Sequence, residues 1–234
     1  MSDETEHMKP APQVTDILGV FAELFRGSGK MLAILLCGLW LSLFILRLAD
    51  GLAFGDDRPD FAVLSFTLLA VPFFAGAVIH HVIWDWAPGL AESFDVAARA
   101  YLHLLGVAIA SRLIIGFGFA LLILPGLAAI MLLSLAPVII IAEGPGVLRA
   151  IAQSARRIAG AFVTVMLAYG VFLVGMMAAL FAFSIPLAIV SGGQSDLFSS
   201  GISAFLSIGH FIFACAIYLA LKGKSGPQPA PAAQ

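Results

Sequence analysis

LLILPGLAAIMLLSLAPVIIIAEGPGVLRAIAQSARRIAG, running from Leu121 to Gly160, decides the architecture. Two apolar runs flank Pro125-Gly126, the second run ends at Glu143-Gly144, and a basic amphipathic stretch follows. A straight helix over the apolar stretch Leu104 to Ala142 would be roughly 58 Å long, nearly twice the roughly 30 Å of bilayer hydrocarbon. The chain must therefore fold back. Pro125-Gly126 is the expected corner, because proline removes a helix hydrogen bond and glycine permits the left-handed geometry that reverses a chain. Pro137 is expected to kink the returning span, Leu127 to Ala142.

Composition agrees with a membrane setting. The 234 residues are 61% hydrophobic and only 11% charged, with a mean hydropathy of +1.05, far outside the range of water-soluble domains. Cys37 and Cys215 lie in separate apolar runs without metal-type spacing, which argues against disulfide or redox chemistry. The acidic start, MSDETEHMKPAPQ, lacks the basic and apolar regions of a secretory leader. Residues 1–13 and the Pro- and Ala-rich residues 223–234 are expected to be disordered tails around a membrane domain at 14–222.

The expected fold is all-α, a polytopic bundle of six transmembrane helices in three hairpins. A cytoplasmic amphipathic helix at the membrane surface precedes each hairpin, near residues 14–26, 90–101 and 147–158. The spans are placed at about Met31–Leu48, Phe61–Ile83, Leu102–Leu124, Leu127–Ala142, Phe162–Val190 and Ile202–Leu221. Asp50 to Asp60 form a polar loop, Trp84 and Trp86 mark a headgroup boundary, and Pro186 is a place for the fifth span to bend. The three surface stretches share a polarity pattern but few identities, which suits either a threefold repeat or convergent amphipathicity.

Charge sets the orientation. Lys9, Arg26, Lys30, Arg99, Arg149, Arg156, Arg157, Lys222 and Lys224 fall on one side of this layout, and only Arg47 and Arg58 fall on the other. The positive-inside bias predicts a multi-pass protein of a bacterial inner membrane with both termini cytoplasmic.

The order Leu124-Pro125-Gly126, Pro137, Glu143-Gly144 and then AIAQSARRIAG resembles the glycerophosphoryl diester phosphodiesterase membrane-domain family and its bacterial relatives of unknown function. That family shows a Pro-Gly turn, an apolar helix closing on Glu-Gly, and a helix with Ala, a basic-flanked Ser and a terminal Gly. Pro125, Gly126, Glu143, Gly144, Ala150, Ser154 and Gly160 fill those positions here, while Gln153 stands where a basic residue is frequent. Family members that hydrolyse phosphodiesters carry a fused soluble barrel of about 250 residues. No stretch of this chain supplies one, so the resemblance implies the membrane module without the hydrolase.

Two residues stand out inside the apolar spans. Arg112 lies in LHLLGVAIASRLIIGFG, where an ionised side chain is costly and marks a candidate site. It could contact an anion or lipid phosphate in a hydrated cavity, or instead bind carbonyls freed near Pro72 or Pro137, or snorkel to the interface. His210, midway along the last span, could line the same interior or serve as hydrogen-bonded packing. His80, His81, Asp85, His103 and Glu143 gather near the cytoplasmic interface, with His81 and Asp85 at i, i+4, yet no HExxH-type zinc signature accompanies them. No metal or other cofactor is expected. Glu143 is expected to pair with Arg149 or another nearby arginine, and Arg149, Arg156 and Arg157 would attract anionic lipid or form a solvated face.

These residues point to a non-catalytic integral membrane protein, a lipid-interacting or scaffold module whose expected partners are membrane lipids, anionic ones among them; no phosphate-cradling loop, nucleophilic triad or nucleic-acid signature is present. A protein partner would fit the scaffold role. The alternative is a small-solute or lipid transporter or channel with Arg112 and His210 along an interior path, and an intramembrane enzyme built on the interfacial His, Asp and Glu residues stands third.

Overall fold

The computed structural model describes residues 12–27, 34–42, 45, 61–84, 89–191 and 195–223, with the side chains of all but 61–67 and 183–201. These residues are helical, with no strand among them: α1 (Val14–Gly27), α2 (34–42), α3 (Phe61–Ile83), α4 (Leu90–Leu121), α5 (Ile123–Leu133), α6 (Ala136–Glu143), α7 (Val147–Ala159), α8 (Phe162–Ser191) and α9 (Ser195–Leu221). Among the described residues, four stretches are long and apolar enough to cross a membrane: Leu90–Leu121, Ile123–Glu143 spanning α5 and α6, Phe162–Ala182 and Ile202–Leu221. Leu68–Ile83 in α3 is a shorter apolar helix. Part of the first expected span, the Asp50–Asp60 loop, Asp85, Trp86, Arg47, Arg58, Lys9, Lys30, Lys224 and nearly all of both expected tails lie outside the described residues.

The chain reverses three residues before the expected place. Leu122 is extended at φ −166° and ψ 154°, and its N–H donates to the Gly118 carbonyl at 3.0 Å. Pro125 falls inside the first turn of α5, where an N–H would have no helical partner, so proline costs nothing there. Gly126 is not left-handed. It is required for close approach: a Cβ there would lie 2.5 Å from the Phe119 ring, and one on Gly118 would lie 2.9 Å from the Gly126 Cα. The left-handed glycine of this region is Gly144, at φ 69°, which caps α6 by donating its N–H to Ile140 O at 3.0 Å.

Pro137 breaks the returning span rather than merely kinking it. A turn at Ser134 and Leu135 separates α5 from α6, and Pro137 sits at the start of α6. By contrast, α8 stays helical through position 186, so Pro186 makes no break.

The expected second surface helix does not exist as a separate element. Residues 90–101 are the first turns of the continuous 32-residue α4, because nothing between Tyr101 and Leu102 interrupts the helix. The first amphipathic stretch is helical, and Asp16 accepts the Gln13 N–H at 2.8 Å at its start. Its apolar face, however, is covered by protein. Ile17 and Leu24 are buried, and the Phe21 ring meets Phe172 of α8 and Phe213 of α9 edge-on, each at 5.6 Å. Phe172 and Phe213 stack at 4.3 Å, and Tyr169 stands edge-on to Phe213 at 5.0 Å, so aromatic contacts fasten α1 to the bundle.

The centre of the bundle is α9, whose residues from Ile212 to Leu219 are all buried, with α1, α3, α6 and α8 among the helices packed on it. Small residues make the close crossings that apolar helices need where lipid removes the hydrophobic drive between them. A Cβ on Gly209 would lie 2.2 Å from Met176 Cε, and one on Gly76 would lie 3.1 Å from Ala97 Cβ. Large apolar side chains turn outward instead, among them Phe117, Leu121, Val174 and Phe181. That inverted arrangement suits a lipid surround.

Candidate anion site within the helix bundle

Arg112 and His210 line one cavity of about 240 Å³. Its walls come from α3 at Pro72, α4 at Ser111 and Arg112, the α5–α6 break at Ser134 and Pro137, and α9 at His210. Both prolines therefore line this space. Arg112 has no carboxylate pairing with it among the described residues, and the buried Ser111 hydroxyl has no hydrogen-bond partner. Ser134 points its hydroxyl back to the Met131 carbonyl at 2.8 Å, leaving its oxygen lone pair as an acceptor. The imidazole of His210 lies 6.1 Å from the Tyr169 ring and 5.8 Å from the Phe211 ring. The walls thus carry a guanidinium, on the exposed Arg112, an unpartnered hydroxyl and an imidazole around an otherwise apolar space, the kinds of group that bind anions by charge-assisted hydrogen bonds.

A second polar centre lies at the end of α6. Arg157 Nη1 and Nη2 donate to Glu143 Oε1 and Oε2, both at 2.9 Å, in a fork-on-fork geometry. The Tyr218 hydroxyl donates to Oε1 at 2.7 Å, while Lys222 Nζ donates to that hydroxyl at 2.7 Å and lies 3.4 Å from Oε1. The hydrogen bonds from Arg157 to Glu143 push the guanidinium above its already high ordinary value. Lys222 is likewise raised, first by its bond to Tyr218 and then by the charge of Glu143. This centre ties α6, α7 and α9 together and leaves Glu143 fully occupied.

The partner of Glu143 is thus Arg157, not Arg149. Arg149 and Arg156 are exposed, so the three basic residues of α7 do not act alike. The face of α7 that meets protein carries Ala150, Ser154 and Ile158, while Leu148 is 81% exposed. Small Ala150 and Ser154 let the helix approach α5, and Ser154 Oγ donates to the Leu132 carbonyl at 2.6 Å, just before the α5–α6 break. Gly160 ends α7, its N–H reaching Arg156 O at 3.3 Å.

The described members of the expected interfacial group, His80, His81, His103 and Glu143, do not assemble as a metal-type cluster. His80 Nδ1 lies 3.3 Å from Ser93 Oγ, His81 is buried, His103 is exposed, and Glu143 is taken up as described. Among the described residues no three of His, Cys, Asp or Glu come together as a metal site. Tyr218, Lys222, Ser111 and Ser134 are the residues that sequence reasoning passed over; the i, i+4 spacing of Tyr218 and Lys222 at the end of the last span was the available signal. No family model, no curated protein and no solved structure matches this chain.

Proposed function

We propose that this chain is a non-catalytic integral membrane protein that holds the anionic group of a membrane lipid beside Arg112. One observation carries the reading: an arginine on a span-length helix, with no carboxylate partner among the described residues, lines a cavity that it shares with Ser111 and His210. An unpaired guanidinium in hydrocarbon is costly, and a phosphate or carboxylate would offset that cost. The six-span layout, the cytoplasmic termini, a bacterial inner membrane and kinship with the phosphodiesterase membrane modules belong to the same proposal, as does recruitment of a protein partner. Exposed Arg149 and Arg156 attract anionic headgroups only through diffuse, salt-screened surface charge and hold no lipid through purification.

Lipid extracted from purified protein tests the reading. Anionic phospholipid should be retained by the native chain and by an Arg156→Ala variant, and lost from Arg112→Ala; equal retention in all three would overturn it. The same cavity also favours transport of a small anion as a second reading, because α3, α4, α6 and α9 all line it. Anion flux in liposomes that vanishes in Arg112→Ala would select transport, and absence of flux would leave the binding role.

A further inference from the structure

From Leu113 to Leu133 no side chain carries a nitrogen or oxygen atom. The α4–α5 corner sits in the middle of this stretch, and its apolar side chains point outward: Phe117 is 71% exposed, Leu121 76%, Leu122 69%, Ile123 69% and Leu124 78%. A corner that emerged into water would present this patch to solvent, whereas water-facing surfaces rarely carry contiguous apolar patches beyond a few hundred Å². Irregular backbone is held to a single residue. Leu122 N–H bonds Gly118 O at 3.0 Å, Gly126 N–H bonds Leu122 O at 3.4 Å, and Pro125 brings no donor.

Length gives the depth. At the opposite end of the returning arm, Glu143 is bound by Arg157 and Lys222, and all three side chains are partly exposed, which places them at headgroup level. As one straight rod the 21 residues Ile123–Glu143 would reach about 32 Å, and because Glu143 already sits at headgroup level and the helix is broken at Ser134 and Leu135, the corner falls short of the far headgroups of a bilayer whose hydrocarbon is about 30 Å thick.

We infer that the corner Leu121–Gly126 stays among the acyl chains of the far leaflet and does not surface into water. Lipid tails are its partner. The inference rests on the membrane reading and also locates the anion site: Arg112 lies about 13 Å along α4 from Leu121, deep in the bilayer and short of the far headgroups.

Cysteine labelling in proteoliposomes tests this. In a Cys37→Ser background, with Cys215 buried, Leu124→Cys is compared with Glu92→Cys, an exposed position at the start of the same helix. A membrane-impermeant maleimide supplied to both sides should label Glu92→Cys and leave Leu124→Cys unlabelled until detergent is added. Labelling of Leu124→Cys in the intact bilayer at the rate of Glu92→Cys would overturn the submerged corner while leaving the membrane reading in place. Release of the native protein from membranes by alkaline washing would overturn both.

Discussion

Ser154 Oγ donates to the carbonyl oxygen of Leu132 at 2.6 Å, joining the middle of α7 to the last turn of α5. Pro137 follows closely and interrupts the helical ladder, so carbonyls at the end of α5 need partners from elsewhere. Ser154 is fully buried and supplies one. The buried serine of α7 thus has a structural role that needs no ligand.

Ser154→Ala removes the donor with almost no change of volume. It should cost about 1–3 kcal/mol, the penalty for an unsatisfied buried carbonyl. Thermal unfolding in detergent measures this; a melting temperature equal to that of the native chain would contradict the role.

Glu143→Ala should destabilise more than Arg157→Ala, since it strands Arg157, Tyr218 and Lys222 together. The pair is partly exposed, with side chains 32% and 21% accessible, so a coupling of about 1–2 kcal/mol in a double-mutant cycle is the reasonable size after solvent screening. Additive single effects would show that the fork contributes no coupling.

The sign of the Lys222 shift fixes a pH dependence. Its folded value lies above the ordinary 10.5, so its contribution is complete below about pH 10.5 and is lost as pH rises through the folded value. Melting temperature should therefore decline in strongly alkaline buffer more steeply for the native chain than for Lys222→Met. Parallel profiles would contradict the linkage.

Gly126→Ala places a methyl group against the Phe119 ring and spreads the α4–α5 corner. Overpacking of this kind costs about 1–3 kcal/mol, and Gly144→Ala should cost a comparable amount for a different reason, its left-handed backbone. Hydrogen exchange distinguishes the two: faster exchange should be confined to the α4–α5 corner in the first variant and to the α6–α7 turn in the second. Identical patterns would contradict the separate roles.

Hydropathy made the helices and the fold-back legible, because an apolar run from Leu104 to Ala142 has no straight solution in a bilayer. The corner itself fell at Leu122 because proline is tolerated inside a first helical turn, so Pro125 dates the reversal only to within a turn. The surroundings of α1 were not legible: an amphipathic face suits headgroups and a protein groove equally, and only Phe21 against Phe172 and Phe213 decides between them. Arg112 was legible as a charge in an apolar run. Ser111 and Ser134 were not, since membrane serines commonly bond their own helix, as Ser134 does. Tyr218 meets Glu143 across 75 residues, a pairing that no local spacing encodes.

The most direct test is phosphorus NMR of delipidated protein titrated with an anionic phospholipid in detergent. The expected result is a saturable shifted resonance for the native chain that is retained in Arg149→Ala and absent in Arg112→Ala. The same bound resonance in Arg112→Ala would contradict an anion site beside that arginine.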